Sequence, residues 1–218
     1  MSIGLPISGL RSVTPQNLVL DAGIMYKNIN EAMLQNGLAT AFSLAINPTS
    51  TWTDPNNVVV TPTKLGATRG GTKVKVGITQ RQVQFDSMRT SIKGFDRVDM
   101  IMPSIETSLL EFGDYLTAET ALGSTSVHNW TTYQEVKPSL VVASTDFIGN
   151  IALVAPVSGS LLPIVVVLRN ARVNSPGDLD LKDKSELAYV ATFTGNSLAS
   201  DQYNVSVSFY IPATTSPS

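Results

Sequence analysis

A chain of 218 residues with no Cys and a single His cannot build a disulfide framework, a Cys-based zinc site, a thiol nucleophile or any site that needs two imidazoles. Its length is enough to bury roughly 70% of the surface of the unfolded chain, so no covalent or metal staple is required. A formal net charge of −2 and a pI near 5.3 argue against a dedicated nucleic-acid binder, while only 15% charged residues beside 23 Ser and 22 Thr describe a hydroxyl-rich, β-type surface.

Residues Met1–Leu10 have neither the basic nor the apolar stretch of a secretory signal, and export by that route is not expected. The first helical signal lies over Asn28–Phe42, which contains Ile29, Ala32, Met33 and Leu34 with Asn30 as N-cap and Gly37 near the end, giving one short helix or two turns. Asn47–Lys64 follows, with Pro48, Pro55 and Pro62 among Thr, Ser and Asn and no core pattern apart from Val58–Val60. A loop of that length is expected to be functional or poorly ordered. Period-two alternation then marks strands at Val74, Val76 and Ile78 and at Val83 and Phe85. The alternation runs unusually far from Phe95 to Glu111, where Pro103, unable to donate to a ladder, predicts a bulge or an edge position. Phe112–Leu122 has helical spacing with Asp114 as cap and Gly123 as stop. Ile151–Val157 and Leu161–Val173 are apolar almost throughout, as in strands covered on both faces, and far short of the roughly 18 apolar residues of a membrane helix. Leu187–Thr194 and the alternating Tyr203, Val205, Val207, Phe209 and Ile211 predict two more strands, before a tail at 212–218 that is expected to fray.

Few residues suggest chemistry. Gly66–Lys73 nearly matches a P-loop, but Thr72 separates Gly71 from Lys73 and the segment enters a strand instead of a helix. Asp178, Asp180 and Asp183 resemble half of a calcium loop, but the central Gly and the closing Glu are missing, so a solvated turn is expected. His128 stands beside Asn129 and Trp130 with no nucleophile motif, and is read as a packing or hydrogen-bonding residue. The expectation is therefore no enzyme, no metal and no cofactor. Charge is segregated by segment: eight of the fifteen bases lie between Lys64 and Arg97, and from Asp99 to Val136 there are six acids and no base. Two solvated faces would explain this. So would self-complementarity, the basic segment of one copy meeting the acidic surface of the next.

Leu65–Glu111 resembles the major tail tube proteins of long-tailed, non-contractile bacteriophages. The resemblance is carried by Leu65-Gly66-Ala67-Thr68-Arg69-Gly70-Gly71, by Val83-Gln84-Phe85-Asp86 with Met88-Arg89 and Ile92-Lys93-Gly94, and by Arg97-Val98-Asp99 leading to Ile105-Glu106-Thr107-Ser108-Leu109. Val167-Leu168-Arg169-Asn170-Ala171, the run Lys182–Leu187 entering Val190-Ala191-Thr192-Phe193, and the extended Leu18–Tyr26 agree with it. It implies a mainly β fold, an antiparallel sandwich or barrel-like tail tube domain over 1–218 with one flanking helix, an insertion at about 27–63 and a flexible tail. It also implies that six copies close into a ring and that rings stack into a hollow tube delivering the genome. The implied partners are further copies of the chain, the tape measure protein, the tail terminator and distal tail proteins. Double-stranded DNA would pass through the lumen without being held, and the location would be the virion, with host cytoplasm during assembly.

A wall that lets DNA slide must not attract phosphate, since each Lys or Arg contact adds affinity through counterion release. Asp99 and Glu106 are the lumen-lining candidates. Strict alternation places them on opposite faces of their strand, and only a one-residue register shift, expected at Pro103, brings them together. Without it one of them would meet the inter-subunit basic candidates Lys73, Lys75 and Arg81 of a neighbouring copy. Pro48, Trp52, Asp54, Pro55, Asn57, Pro62 and Lys64 are the inter-ring loop candidates. A carbohydrate-binding or other adhesion β-sandwich is the alternative reading, for which two tryptophans, Trp52 and Trp130, supply little material for an aromatic platform.

Overall fold

Among the described residues of a computed structural model, twelve strands, all paired antiparallel, carry the chain. The structure describes residues 23–35, 40–54, 57–68, 71–83, 96–110, 118, 120, 122–123, 126–137, 142–143, 146–157, 162–180, 188–201 and 204–212. The two apolar runs become β9 (Ile148–Ala155) and the first half of β10 (Ile164–Asp180). Their composition follows from their position. Ile151, Leu153, Val166 and Leu168 point into one core, while Ala152, Val154, Val165 and Val167 point the opposite way into a second. A strand covered on both faces is apolar at successive positions, and a polar residue is kept there only with buried partners.

One sheet runs β4 (Thr63–Ala67), β1 (Ile24–Lys27), β9, β10 and β12 (Val207–Tyr210). The other runs from the second half of β10 through β11 (Ala188–Thr194) and β6 (Asp96–Leu109) to β5 (Lys73–Gln82). β10 therefore belongs to both sheets. It turns the corner at irregularities: Asn170, in the left-handed region at φ 44°, is skipped between the pairs Arg169↔Asn150 and Ala171↔Ile148, and the register against β11 shifts again after Val173 and after Pro176. An isolated bridge from Thr68 to Leu109 joins the far edge of the first sheet to β6, and Thr68 Oγ1 donates to Gly23 O at 2.8 Å, giving the pair a barrel-like closure. Met25, Leu65, Ile105, Leu109, Tyr189 and Phe193 fill the space between the sheets.

The helical region after β1 is two short turns, α1 (Glu31–Leu34) and α2 (Ala41–Ala45). They lay Ile29, Leu34, Phe42 and Ile46 over the outer face of β9 and β10. Asn30 stands at the N-cap with extended backbone but makes no side-chain cap; its N–H instead donates to Ala45 O at 2.9 Å, tying the start of α1 to the end of α2. The second expected helix falls mostly outside the described residues, of which Ala118, Thr120 and Leu122 are helical. Asp178 and Asp180, expected in a solvated turn, lie in β10, whose pairing with β11 continues to Asp180↔Ala188.

Candidate functional site

β11 stops at Thr194, opposite Ser104, but β5 and β6 continue together for most of their length beyond that point. The result is a two-stranded arm, Lys75–Gln82 against Asp96–Met102, that pairs only with itself and is exposed on both faces. Val76 and Ile78 lie on one face. Met100 and Met102, opposite Thr79 and Gly77, lie on the other, and all four are 40–52% exposed. The alternation holds along β5 and along β6 from Met100 onward, while the register shift after Thr79 puts Val98 on the opposite face from Met100 and Met102; only Val74, Ile105, Thr107 and Leu109, at the base, have a core to face.

Pro103 sits in this strand without a bulge. In an antiparallel ladder a residue turns its N–H and C=O to the same neighbour, and the Pro103 carbonyl accepts from Gly195 N at 3.0 Å, just past the end of β11. The missing donor therefore falls on the side where the ladder has run out, and pairing with Val76 of β5 is undisturbed. The register shift is at Asp99 instead: Thr79 pairs Met100 and Gln80 pairs Val98, leaving Asp99 as the extra residue. That shift brings the two acids to one face, the face of Lys73, Lys75 and Arg81. Arg81 Nε donates to Asp99 Oδ1 at 2.7 Å and Lys75 Nζ to Glu106 Oε2 at 3.0 Å. The hydrogen bond from Lys75 and the charge of Lys73, directly opposite, hold the Glu106 carboxyl below the usual carboxylate range. The acidic and basic candidates thus meet within one strand pair of one chain, Asp99 with Arg81 in the arm and Glu106 with Lys73 and Lys75 at its base. Exposed pairs of this kind contribute little to stability, so their main effect is on the local field.

The candidates of residues 47–64 lie elsewhere. Pro48 follows α2, and Trp52 opens the two-residue strand β2 (Trp52–Thr53), which pairs β3 (Val59–Val60). The expected irregular loop is thus a small hairpin fixed to the body: Trp52 Nε1 donates to Asn28 O at 2.7 Å, and buried Asp54 accepts from Val58 N at 2.8 Å. Asn57 takes the turn at φ 61°, Pro62 is buried, and Lys64 is an exposed residue of β4. Pro55 lies outside the described residues. Val58 and Val59 are what this hairpin shows to solvent.

Two further polar arrangements were not legible in the sequence. Arg169 reaches from β10 to Glu31 of α1 through two hydrogen bonds, and also donates to Ser208 Oγ at 2.7 Å and Val205 O at 3.0 Å, while Tyr210 OH donates to Glu31 Oε1 at 2.6 Å. The bond to Glu31 raises the Arg169 pKa, and burial raises that of Tyr210. The network draws Ser208 and Tyr210 of β12 toward α1, next to buried Ser206, while Val207 packs against the core between the sheets and Phe209 is half exposed. The second is the hairpin β7 (Ser126–Asn129) and β8 (Gln134–Lys137), which pairs only with itself and carries His128 edge-on to Trp130 at 4.6 Å. Among the described residues no group of three His, Asp or Glu could hold a metal ion, and no helix is long and apolar enough to cross a membrane.

No protein-family model and no curated protein matches the chain. Among solved structures it is similar to a chain in the virion of the native gene transfer agent (GTA) particle, with 14% identity and a TM-score of 0.37 over 68% of this chain and 88% of that one.

Proposed function

We propose that the chain is a structural, non-enzymatic virion protein that assembles head to tail into rings, six copies to a ring, stacked as the tail tube of a non-contractile phage. The observation that carries this reading is the arm. A lone two-stranded ribbon is marginal in water, and one that shows Val76, Ile78, Met100 and Met102 to solvent has apolar surface that a neighbouring subunit would cover. The partners are further copies of the chain, with tape measure, tail terminator and distal tail proteins at assembly in the host cytoplasm. DNA passes along a wall to which Asp99 and Glu106 contribute, each already matched by a base of the same strand pair. Negative-stain microscopy of the concentrated protein tests this: the wild type is expected to form rings or hollow filaments, and Ile78→Lys with Met100→Lys to remain monomeric with an unchanged circular dichroism spectrum. A wild type that stays monomeric at every salt and protein concentration, and is absent from virions, would defeat the proposal.

A further inference from the structure

We infer that the β7–β8 hairpin presents a saccharide-binding face, built on Trp130 and Tyr133, that takes neutral pyranose units. The register fixes which residues share it. His128 pairs Glu135 across the hairpin, Asn129 pairs Gln134 on the other face, and two residues nearer the turn Trp130 N donates to Tyr133 O at 2.8 Å, leaving Thr131 and Thr132 as the two turn residues. Cross-strand partners lie on one face, so Trp130 and Tyr133 stand opposite each other at the tip with His128 and Glu135 in the next rank. Both aromatics are open, Trp130 at 61% and Tyr133 at 78%. The chain has only two tryptophans, and the other, Trp52, is bound to the body.

An exposed indole is ordinarily mobile. This one is held: the His128 ring lies edge-on against it with centroids 4.6 Å apart, and beside it the Glu135 carboxylate, whose pKa is lowered first by Lys137 and in smaller part by Trp130, pairs with Lys137 Nζ at 2.9 Å. Holding the ring in advance removes much of the ordering cost that a ligand would otherwise meet. A held indole with an open phenol opposite it offers stacking to the apolar C–H face of a sugar ring, and the carboxylate, ammonium and imidazole beside them offer hydrogen bonds to the equatorial hydroxyls. The described neighbours on this face, His128, Glu135 and Lys137, are charged or polar, groups suited to sugar hydroxyls; a protein occupant is the outcome that the self-association arm of the test separates. The inference does not rest on the tube reading, since the hairpin is separate from the arm.

The test follows the Trp130 indole N–H by NMR in the full chain during titration with cellohexaose, chitohexaose and maltoheptaose. At least one should give a saturable shift, weakened about tenfold or more in Trp130→Ala, where the Tyr133 amide serves as the probe, and several-fold in Tyr133→Ala. Unchanged amide shifts in β9 and β10 would show that both variants remain folded. No saturable shift with any of the three up to about 20 mM, a concentration that would reveal even a millimolar site, would overturn the inference. So would a shift that survives Trp130→Ala, or concentration-dependent self-association that Trp130→Ala abolishes, which would assign the face to a second copy.

Discussion

Asn150 shows how much one side chain can fix. It is buried in β9, its Oδ1 accepts from Ile29 N at 2.9 Å and its Nδ2 donates to Ile29 O at 2.8 Å, so a single amide satisfies both backbone groups of a fully buried residue. Asn28 takes the left-handed conformation just before, at φ 58°, and its N–H donates to Asn150 O at 2.9 Å. Together these turn the chain from β1 into α1. Replacing Asn150 by Ala strands a donor and an acceptor, each costing about 1–3 kcal/mol, and is expected to destabilise the fold by about 3 kcal/mol, or to lower the melting temperature by roughly 6–12 °C. Calorimetry would check this, and a change under about 2 °C would mean that the turn is held by something else. Nothing in the sequence marks Asn150 for this role, because its partner lies 121 positions away.

At the scale of elements, the long apolar or alternating runs were legible as strands, whereas the short β4 was not, although it buries Leu65, and two of the misreadings share one cause. Alternation states that a strand has two unlike faces; it does not state which face turns inward. On β12 both faces are used, Val207 against the core and Ser208 and Tyr210 toward Arg169 and Glu31, and on the arm both faces are exposed. The hairpin of β2 and β3 escapes sequence reasoning for another reason: its anchors are a tryptophan N–H and a carboxylate, neither visible as hydropathy. Its seat depends on Gly149, where an added Cβ would lie 2.7 Å from Asp54 Oδ2 and 2.9 Å from Asp54 Cβ. Gly149→Ala is therefore expected to unseat the hairpin while sparing the core. Hydrogen exchange at the Asp54 and Val58 amides should rise about tenfold or more with β10 unchanged, and unaltered exchange at both would show that the contact is easily relieved.

For the whole molecule, the placement of charge matters more than its total. Asp99 and Glu106 share a face with the bases they neutralise, so replacing both by Lys changes the strand pair by four charges and frees Arg81 and Lys75 at once. Tubes of that variant should retain double-stranded DNA at low salt and release it steeply as salt rises, whereas wild-type tubes should retain little. Filter binding would measure this, and equal retention by both would take these acids off the lumen wall. The continuity of β6 has a mechanical side as well. Its outer part forms the arm, and its inner part, Ser104–Leu109, is laced to β11, which is laced in turn to β10, the strand that runs through both sheets. A pull on the arm thus enters the wall along the covalent backbone and meets the inter-strand ladders side-on, where several hydrogen bonds must slide together before any one is lost. Tension between neighbouring subunits would be shared across the barrel instead of peeling its strands away singly.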